Sequence, residues 1–229
     1  MTVVSERFDN LGKENPHQTY RLGIMGGTFD PIHIGHLACA EQARESFALD
    51  AVIFIPAGIP IYKKHQKVTS AHQRLEMCKL AVAGNEYFDV SAIEIERDGD
   101  TYTVDTLRQL RRYFPKNVEL YFITGADAVL SIMKWKDSFA IAELAHMISV
   151  ARPGYTVSEK EKAEIEKYSN IDISYLEVTA LAISSSDLRE KVRQGRSIHY
   201  LTMKSTLVYI EEKGLYQDAK NTEGDTFHV

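Results

Sequence analysis

The chain has 229 residues, is 44% hydrophobic and 26% charged, and has a net charge of -5 at pH 7. These values are typical of a globular protein with one sizeable core, and the negative balance gives no support to nonspecific nucleic-acid binding. No apolar run approaches the roughly 18 residues that would span a bilayer.

The two ends of the chain differ in composition from its middle. Residues 1–20 are polar and have no periodicity, so we expect a flexible lead-in, and they have charges where a signal peptide needs its apolar stretch. Residues 217–229 are acidic, and we expect a disordered tail. Cys39 and Cys78 form no CxxC pair and lie in helix-like apolar patterns, which is typical of small buried thiols. Together these features favour a cytoplasmic protein.

Between the two ends, short apolar runs alternate with helix-like patterns. Strands are predicted at 21–26, 51–58, 88–96, 117–127, 146–154 and 171–178. Helices are predicted at 35–49, 70–84, 103–114, 128–135, 138–145, 158–168, 184–195 and 204–216. Because several strands are apolar on both faces, this alternation predicts an α/β fold, a doubly wound and mostly parallel sheet with helices on both faces. Ligands of such folds bind beyond the carboxyl ends of the strands.

The loop after the first strand has an unusual sequence, GGTFDPIHIGH, which begins at Gly26. Gly26 and Gly27 lack side chains, so their backbone N–H groups can come close to an anion. The next helix begins near Gly35, and the positive end of its dipole faces the same place. His33 and His36 can face one pocket, where a neutral imidazole would donate a hydrogen bond to a phosphate oxygen.

Two other interpretations of this loop are weaker. A tight turn with two incidental surface histidines would not explain why glycines, a strand end, a helix start and paired histidines coincide. Two histidines three residues apart could bind zinc, but no third ligand lies nearby and the glycines would be unexplained. The sequence therefore favours an anion site.

A second indication of an anion site is the sequence ISSSDLRE, at residues 183–190. The serines are natural helix N-caps, and Ser184 with Asp187 fits a capping box. Capping does not explain Arg189, because the helix dipole disfavours a cation in the first turn. An arginine is favoured there if an anion lies between it and the helix end. The two distant segments together predict one phosphate site.

These two segments resemble the signatures of the HxGH nucleotidylyltransferase superfamily, and the chain is most similar to the bacterial nicotinate-nucleotide adenylyltransferases. Four motifs follow the order of that family: GGTFDPIHIGH, RDGDTYTVDTLRQL, ITGADAVLSIMKW and ISSSDLR. The resemblance covers residues 21–216 and implies a single nucleotidylyltransferase domain with a Rossmann-like sheet. Class I aminoacyl-tRNA synthetases share the HxGH signature, but this chain leaves little room for their further domains.

The resemblance implies adenylyl transfer from ATP to nicotinate mononucleotide by direct in-line attack, without a covalent enzyme intermediate. Mg²⁺ would be bound mainly to the ATP phosphates, and no metal ligands are predicted in the protein. The expected catalytic residues are His33, His36 and Arg189. The expected ATP-binding residues are Gly26, Gly27, Thr28, Phe29, Asp127, Ser185 and Ser186. The expected mononucleotide-binding residues are Lys63, Thr103 and Trp135.

Other roles remain open for several of these residues. Lys63 could be one of several solvated loop lysines, Trp135 a core residue, and Thr103 and Asp127 helix caps. Ala57 and the stretch around Lys63 differ from the asparagine and the PPHK-like sequence of many family members. The preference between acid and amide mononucleotides therefore stays open.

Two rival functions also remain. A sister enzyme such as phosphopantetheine adenylyltransferase would leave the Thr103 and Trp135 elements unexplained. A nucleotide-binding regulatory module without turnover is disfavoured by the intact His33, His36 and Arg189. The expected partners are small molecules, not nucleic acid or membrane, and the oligomeric state, a homo-oligomer included, is left open.

Overall fold

The computed structural model describes residues 3–59, 68–151, 158, 173–179 and 181–217. Its described strands form one parallel sheet in the order β3-β2-β1-β4-β5-β6. The strands are β1 Tyr20–Gly27, β2 Ala51–Pro56, β3 Phe88–Val90, β4 Val118–Gly125, β5 His146–Ala151 and β6 Ile173–Glu177. The order of the strands reverses between β1 and β4, and in parallel sheets a crevice forms at that point. The predicted α/β sheet is confirmed.

Helices cover both faces of this sheet. The helices are α1 Glu6–Asp9, α2 Ile34–Ser46, α3 Ala71–Val82, α4 Thr103–Tyr113, α5 Ala126–Leu130, α6 Ser138–Leu144, α7 Ser185–Arg193 and α8 Lys204–Glu212. A 3₁₀ turn, Ile132–Lys134, lies between α5 and α6. None of the helices in the described ranges is both long and apolar enough to cross a membrane.

Two hydrophobic cores lie on opposite faces because successive strand residues point to opposite sides. In β2, Ile53 faces the first core and Phe54 the second. The first core contains the apolar sides of α4 and α6, and the second contains those of α2, α3, α7 and α8. Both faces of the central strands are therefore buried, which explains why these strands are continuous apolar runs in the sequence.

Part of the lead-in that was predicted to be flexible over residues 1–20 packs against the rest of the fold. Val3, Val4 and Phe8 are buried in the first core, at 6%, 4% and 7% exposure. The backbone N–H of Ser5 donates to Asp89 Oδ2 at 2.7 Å. These three apolar side chains thus attach the N-terminal segment to the first core, although the average composition of the segment is polar.

Some predicted boundaries also differ from the structure. The alternating pattern predicted a strand over 88–96, but β3 ends at Val90 and residues 92–96 form a turn with Glu96 N bonded to Ala92 O at 2.9 Å. The helix predicted at 128–135 is divided between α5 and the 3₁₀ turn. Apart from Ser158 and Gln217, the predicted helix at 158–168 and the predicted tail lie outside the described residues.

Candidate active site

A cleft of about 630 Å³ opens at the carboxyl ends of β1 and β4, where the strand order reverses. Its polar side comes from the loop after β1, the start of α2 and the start of α7. The predicted residues that line it are Gly26, Gly27, Phe29, His33, His36, Asp127, Ser185 and Ser186. An apolar side is formed by Val150, Val178, Leu181 and Ile183, among others. The cleft thus has one wall suited to an anion and one suited to an apolar or aromatic group.

The two glycines at the start of the loop differ in how much room the structure leaves for a side chain. A Cβ at Gly27 would lie 2.9 Å from the Phe29 ring, so packing within the chain already excludes a side chain there. A Cβ at Gly26 would make only ordinary contact with Phe122, at 3.6 Å. Packing therefore does not require glycine at 26, and its open backbone lines the cleft.

His33 and His36 form one unit at the start of α2. His33 is the N-cap residue, and the two rings stack with centroids 3.6 Å apart. The backbone N–H of His33 donates to Nδ1 of His36 at 3.2 Å. Because Nδ1 accepts this hydrogen bond, the proton of neutral His36 lies on Nε2, which can donate to an anion. Phe29 holds the ring of His36 from the side, edge-on at 5.1 Å.

The carbonyl oxygens of the loop after β1 are held by side chains from other elements. Four hydrogen bonds do so: Arg74 to Thr28 O at 2.8 Å, Arg189 to Asp30 O at 2.7 Å, Ser185 Oγ to Pro31 O at 2.9 Å, and Thr202 Oγ1 to Ile32 O at 2.9 Å. These bonds fix the direction of the carbonyl groups and supply donors to oxygens that would otherwise repel an anion. The loop is therefore held in one conformation beside the cleft.

The structure brings the serine and arginine segment to the histidine loop. Ser184 caps α7, with its Oγ accepting from Asp187 N at 3.1 Å, which is one of the two hydrogen bonds of the predicted capping box. Arg189 donates to Asp30 O at 2.7 Å and to Ser186 Oγ at 3.3 Å. Arg189 and Thr28 adjoin the cleft without lining it. The predicted convergence of the two segments is confirmed, and the roles of their residues stay predictions.

Two of the residues predicted to bind the mononucleotide, Thr103 and Trp135, do not line the cleft with the histidines. Thr103 is the first residue of α4, and Trp135 packs against the first core, on the face of the sheet opposite the second core that contains Phe29. The indole Nε1 donates to Ser131 Oγ at 3.2 Å, and the ring meets Phe122 edge-on at 6.1 Å. Lys63 lies outside the described residues.

An ion pair joins the elements of Thr103 and Trp135. Lys136 Nζ lies 2.8 Å from Asp105 Oδ2 and 4.4 Å from the centre of the Tyr102 ring. These contacts hold the residue after Trp135 against the first turn of α4. The start of α4 and the segment around Trp135 are therefore in contact, at the same edge of the sheet as the cleft.

Sequence reasoning missed Arg74, a charged residue that is only 1% exposed. It donates to four backbone carbonyls: Thr69 at 2.9 Å, Thr28 at 2.8 Å, Ala57 at 2.6 Å and Gly58 at 3.0 Å. Burial lowers the pKa of Arg74, and the charge of Asp30 opposes that shift. One signal was present, because Arg74 lies four residues before the buried Cys78 and thus on the apolar stripe of α3.

The chain is similar to known proteins over most of its length. A family model described as cytidylyltransferase-like matches residues 24–191. The chain is 48% identical over 199 residues to a protein of Desulfitobacterium hafniense named probable nicotinate-nucleotide adenylyltransferase, covering 86% of this chain and 96% of that one. A protein of Frankia casuarinae with the same name is 49% identical over 195 residues, covering 85% and 100%.

The chain belongs to the nicotinate-nucleotide adenylyltransferase family.

Solved structures extend this similarity to the fold of the adenylyltransferase. The Plasmodium falciparum nicotinic acid mononucleotide adenylyltransferase complexed with NaAD superimposes with a TM-score of 0.69 at 20% identity, covering 86% of this chain and 97% of that one. The same Plasmodium protein complexed with APC gives a TM-score of 0.68 with the same coverage. At this identity the comparison supports the Rossmann-like architecture, and the family rests on the closer relatives.

Proposed function

We propose that this adenylyltransferase transfers the adenylyl group of ATP to nicotinate mononucleotide, giving nicotinate adenine dinucleotide and pyrophosphate in NAD biosynthesis. The observation that supports it most is the hydrogen bond from Arg189 to Asp30 O, at 2.7 Å, which joins the two phosphate-binding segments at one cleft. The names of the relatives, nicotinate-nucleotide adenylyltransferases over most of the chain, supply the substrate class.

The triphosphate is proposed to lie between the start of α2 and the start of α7. The open backbone of Gly26 and the Nε2–H of His36 suit the α-phosphate, with His33 beside it and the helix dipole adding positive potential. Ser185, Ser186 and Arg189 suit the β- and γ-phosphates. A guanidinium has five N–H donors, so the bonds of Arg189 to Asp30 O and Ser186 Oγ leave donors for phosphate oxygens.

The mononucleotide is proposed to approach from the side of Trp135. Phe122 connects the two sides, because it meets Trp135 edge-on and also contacts the space beside Gly26. A flat indole suits a pyridine ring, and the first turn of α4 at Thr103 suits a carboxylate. The phosphate of the mononucleotide would then reach the α-phosphorus of ATP near Gly26.

The reaction needs no covalent step on the protein. A phosphate oxygen of the mononucleotide forms a bond to the α-phosphorus of ATP, and the bond from that phosphorus to the β-phosphate oxygen breaks. The protein positions the two anions and stabilises the charge that develops on the α-phosphate and on the leaving pyrophosphate.

Mg²⁺ enters the proposal as part of the ATP substrate. Within the described residues, no group of three or more His, Cys, Asp or Glu side chains could hold a metal ion. Mg²⁺ in nucleotide sites usually keeps several waters and binds substrate phosphates with one or two carboxylates, and Asp127 is a carboxylate at the cleft.

We also place the reaction in the cytoplasm, since Cys39 and Cys78 both remain thiols.

The direct test is pyrophosphate release from Mg·ATP with one of three acceptors: nicotinate mononucleotide, nicotinamide mononucleotide or phosphopantetheine. We expect release with nicotinate mononucleotide, at a kcat/KM above that for the other two. His33→Ala serves as the depleted control and His199→Ala, at an exposed loop residue, as the matched active control. Release with phosphopantetheine alone would identify the sister activity, and release with none of the three would identify a binding module.

A further inference from the structure

Asp30 lies in the loop between β1 and α2, residues 28–33, which we call the phosphate loop, and the residue is buried at 3% exposure. Two groups donate to it: the hydroxyl of Tyr216 to Oδ1 at 2.7 Å, and the backbone N–H of Thr69 to Oδ2 at 3.2 Å. A buried carboxylate is costly unless such donors compensate for the lost water. The hydroxyl of Tyr216 makes the shorter of these two contacts and is the side-chain donor of the pair.

Tyr216 lies 186 residues after Asp30 in the chain but contacts it in the fold. It follows α8 and has φ +64°, a left-handed conformation that tyrosine rarely adopts. Its ring packs against the second core, and its hydroxyl lies 3.8 Å from Met77 Sδ. Burial, with the neighbouring Asp30 charge, raises the pKa of Tyr216, so the hydroxyl keeps its proton and donates.

Asp30 connects this hydroxyl to the groups that would bind phosphate. Its own carbonyl accepts from Arg189 at 2.7 Å, and the carbonyl of the next residue, Pro31, accepts from Ser185 at 2.9 Å. His33 follows three residues later. A shift of the Asp30 backbone after loss of its side-chain contacts would therefore displace Arg189 and the loop that leads to His33 together.

We propose that Tyr216 is a positioning residue for adenylyl transfer, which acts through Asp30 to hold the phosphate loop and Arg189 in their reactive arrangement. This inference rests on the proposed function. The alternative is that Tyr216 has only a structural role, in which its ring packs the C-terminal segment against the second core. The two roles separate in kinetics, because a purely structural contact changes the unfolding midpoint but leaves kcat unchanged while the folded fraction stays near one.

Tyr216→Phe keeps the ring and removes only the hydroxyl. We expect kcat at 25 °C to fall by on the order of tenfold, since misplaced reacting groups cost turnover, while KM for ATP changes by less than about threefold. Tyr209→Phe is the matched control, because Tyr209 packs against the same second core from within α8. Its kcat should stay within about twofold of the wild type.

A double-mutant cycle with Asp30→Asn tests whether Tyr216 acts through that carboxylate. We expect Tyr216→Phe to change kcat by less than about twofold in the Asp30→Asn background, because coupled residues are not additive. Unchanged kcat in Tyr216→Phe alone, or full additivity in the cycle, would overturn the proposal. If Asp30→Asn does not fold, the comparison of Tyr216→Phe with Tyr209→Phe decides.

The wild-type protein is measured first in the same assay. An inactive wild type would contradict the proposed function and, with it, this inference. An active wild type with an equally active Tyr216→Phe variant would contradict this inference alone.

Discussion

Replacement of Arg74 by methionine should destabilise the protein strongly although the residue touches no substrate. Methionine fills much of the buried volume but offers no N–H, so the carbonyls of Thr28, Ala57, Gly58 and Thr69 all lose a donor. An unsatisfied buried acceptor costs about 1–3 kcal/mol. Two effects reduce this cost: solvent can reach part of these half-buried residues, and the variant no longer has to bury a charge.

We therefore expect a net loss of about 3 kcal/mol in the free energy of unfolding, below the full sum for four acceptors. At 2–4 °C per kcal/mol for a chain of this size, the thermal midpoint should fall by about 6–12 °C. Arg74→Lys keeps the charge but cannot span four carbonyls, and we expect about half that loss.

Urea unfolding followed by far-UV circular dichroism measures these differences, with thermal melts as a second readout. Arg112→Met is the matched control, because Arg112 is exposed on α4. Its stability should stay within about 0.5 kcal/mol of the wild type. If Arg74→Met were as stable as Arg112→Met, the argument from four unsatisfied carbonyls would be refuted.

Three further predictions concern single side chains. His33→Ala should lower kcat by about 10²-fold while the Kd for ATP changes less than about threefold, because its hydrogen bond strengthens as charge develops; near-normal turnover would remove it from catalysis. Arg189→Ala should lower kcat and raise KM for ATP by about tenfold or more each, and unchanged ATP affinity would contradict its phosphate role. Burial raises the pKa of Glu94 above its ordinary value of 4.5. A hydrogen bond from Thr106 Oγ1 at 2.7 Å lowers the pKa, but its effect is smaller than that of burial. The folded state therefore holds this proton more tightly, so Glu94 contributes stability below pH 4.5 that is lost as pH rises through the raised pKa. Glu94→Gln should remove that loss, and an identical pH dependence of urea unfolding in both proteins would contradict it.

Local patterns predicted the parts of the site that lie within one element. The apolar run of β1, the glycines that follow it and the start of α2 are contiguous, so the pairing of His33 and His36 at the start of α2 could be inferred directly. The cap of α7 by Ser184 is likewise set by residues three positions apart. Such features depend on short-range backbone geometry, which the sequence reports well.

The remaining features depend on contacts between distant residues. The partners of Arg74 at Thr28 and of Tyr216 at Asp30 lie 46 and 186 residues away, and no local pattern encodes these pairs. The alternation after Phe88 looks like a long strand, but β3 ends at Val90 while Ile93 is still buried. Burial of Val3 in the first core likewise depends on a surface formed by other parts of the chain.

The central claim is that the start of α2 and the start of α7 form one cradle for a triphosphate. A crystal structure with Mg²⁺ and a non-hydrolysable ATP analogue tests it most directly. We expect an α-phosphate oxygen within about 3.2 Å of His36 Nε2, and β- or γ-phosphate oxygens at similar distances from Arg189 and Ser186. A triphosphate bound away from either segment, with Arg189 still bonded only to Asp30 O and Ser186 Oγ, would contradict the account.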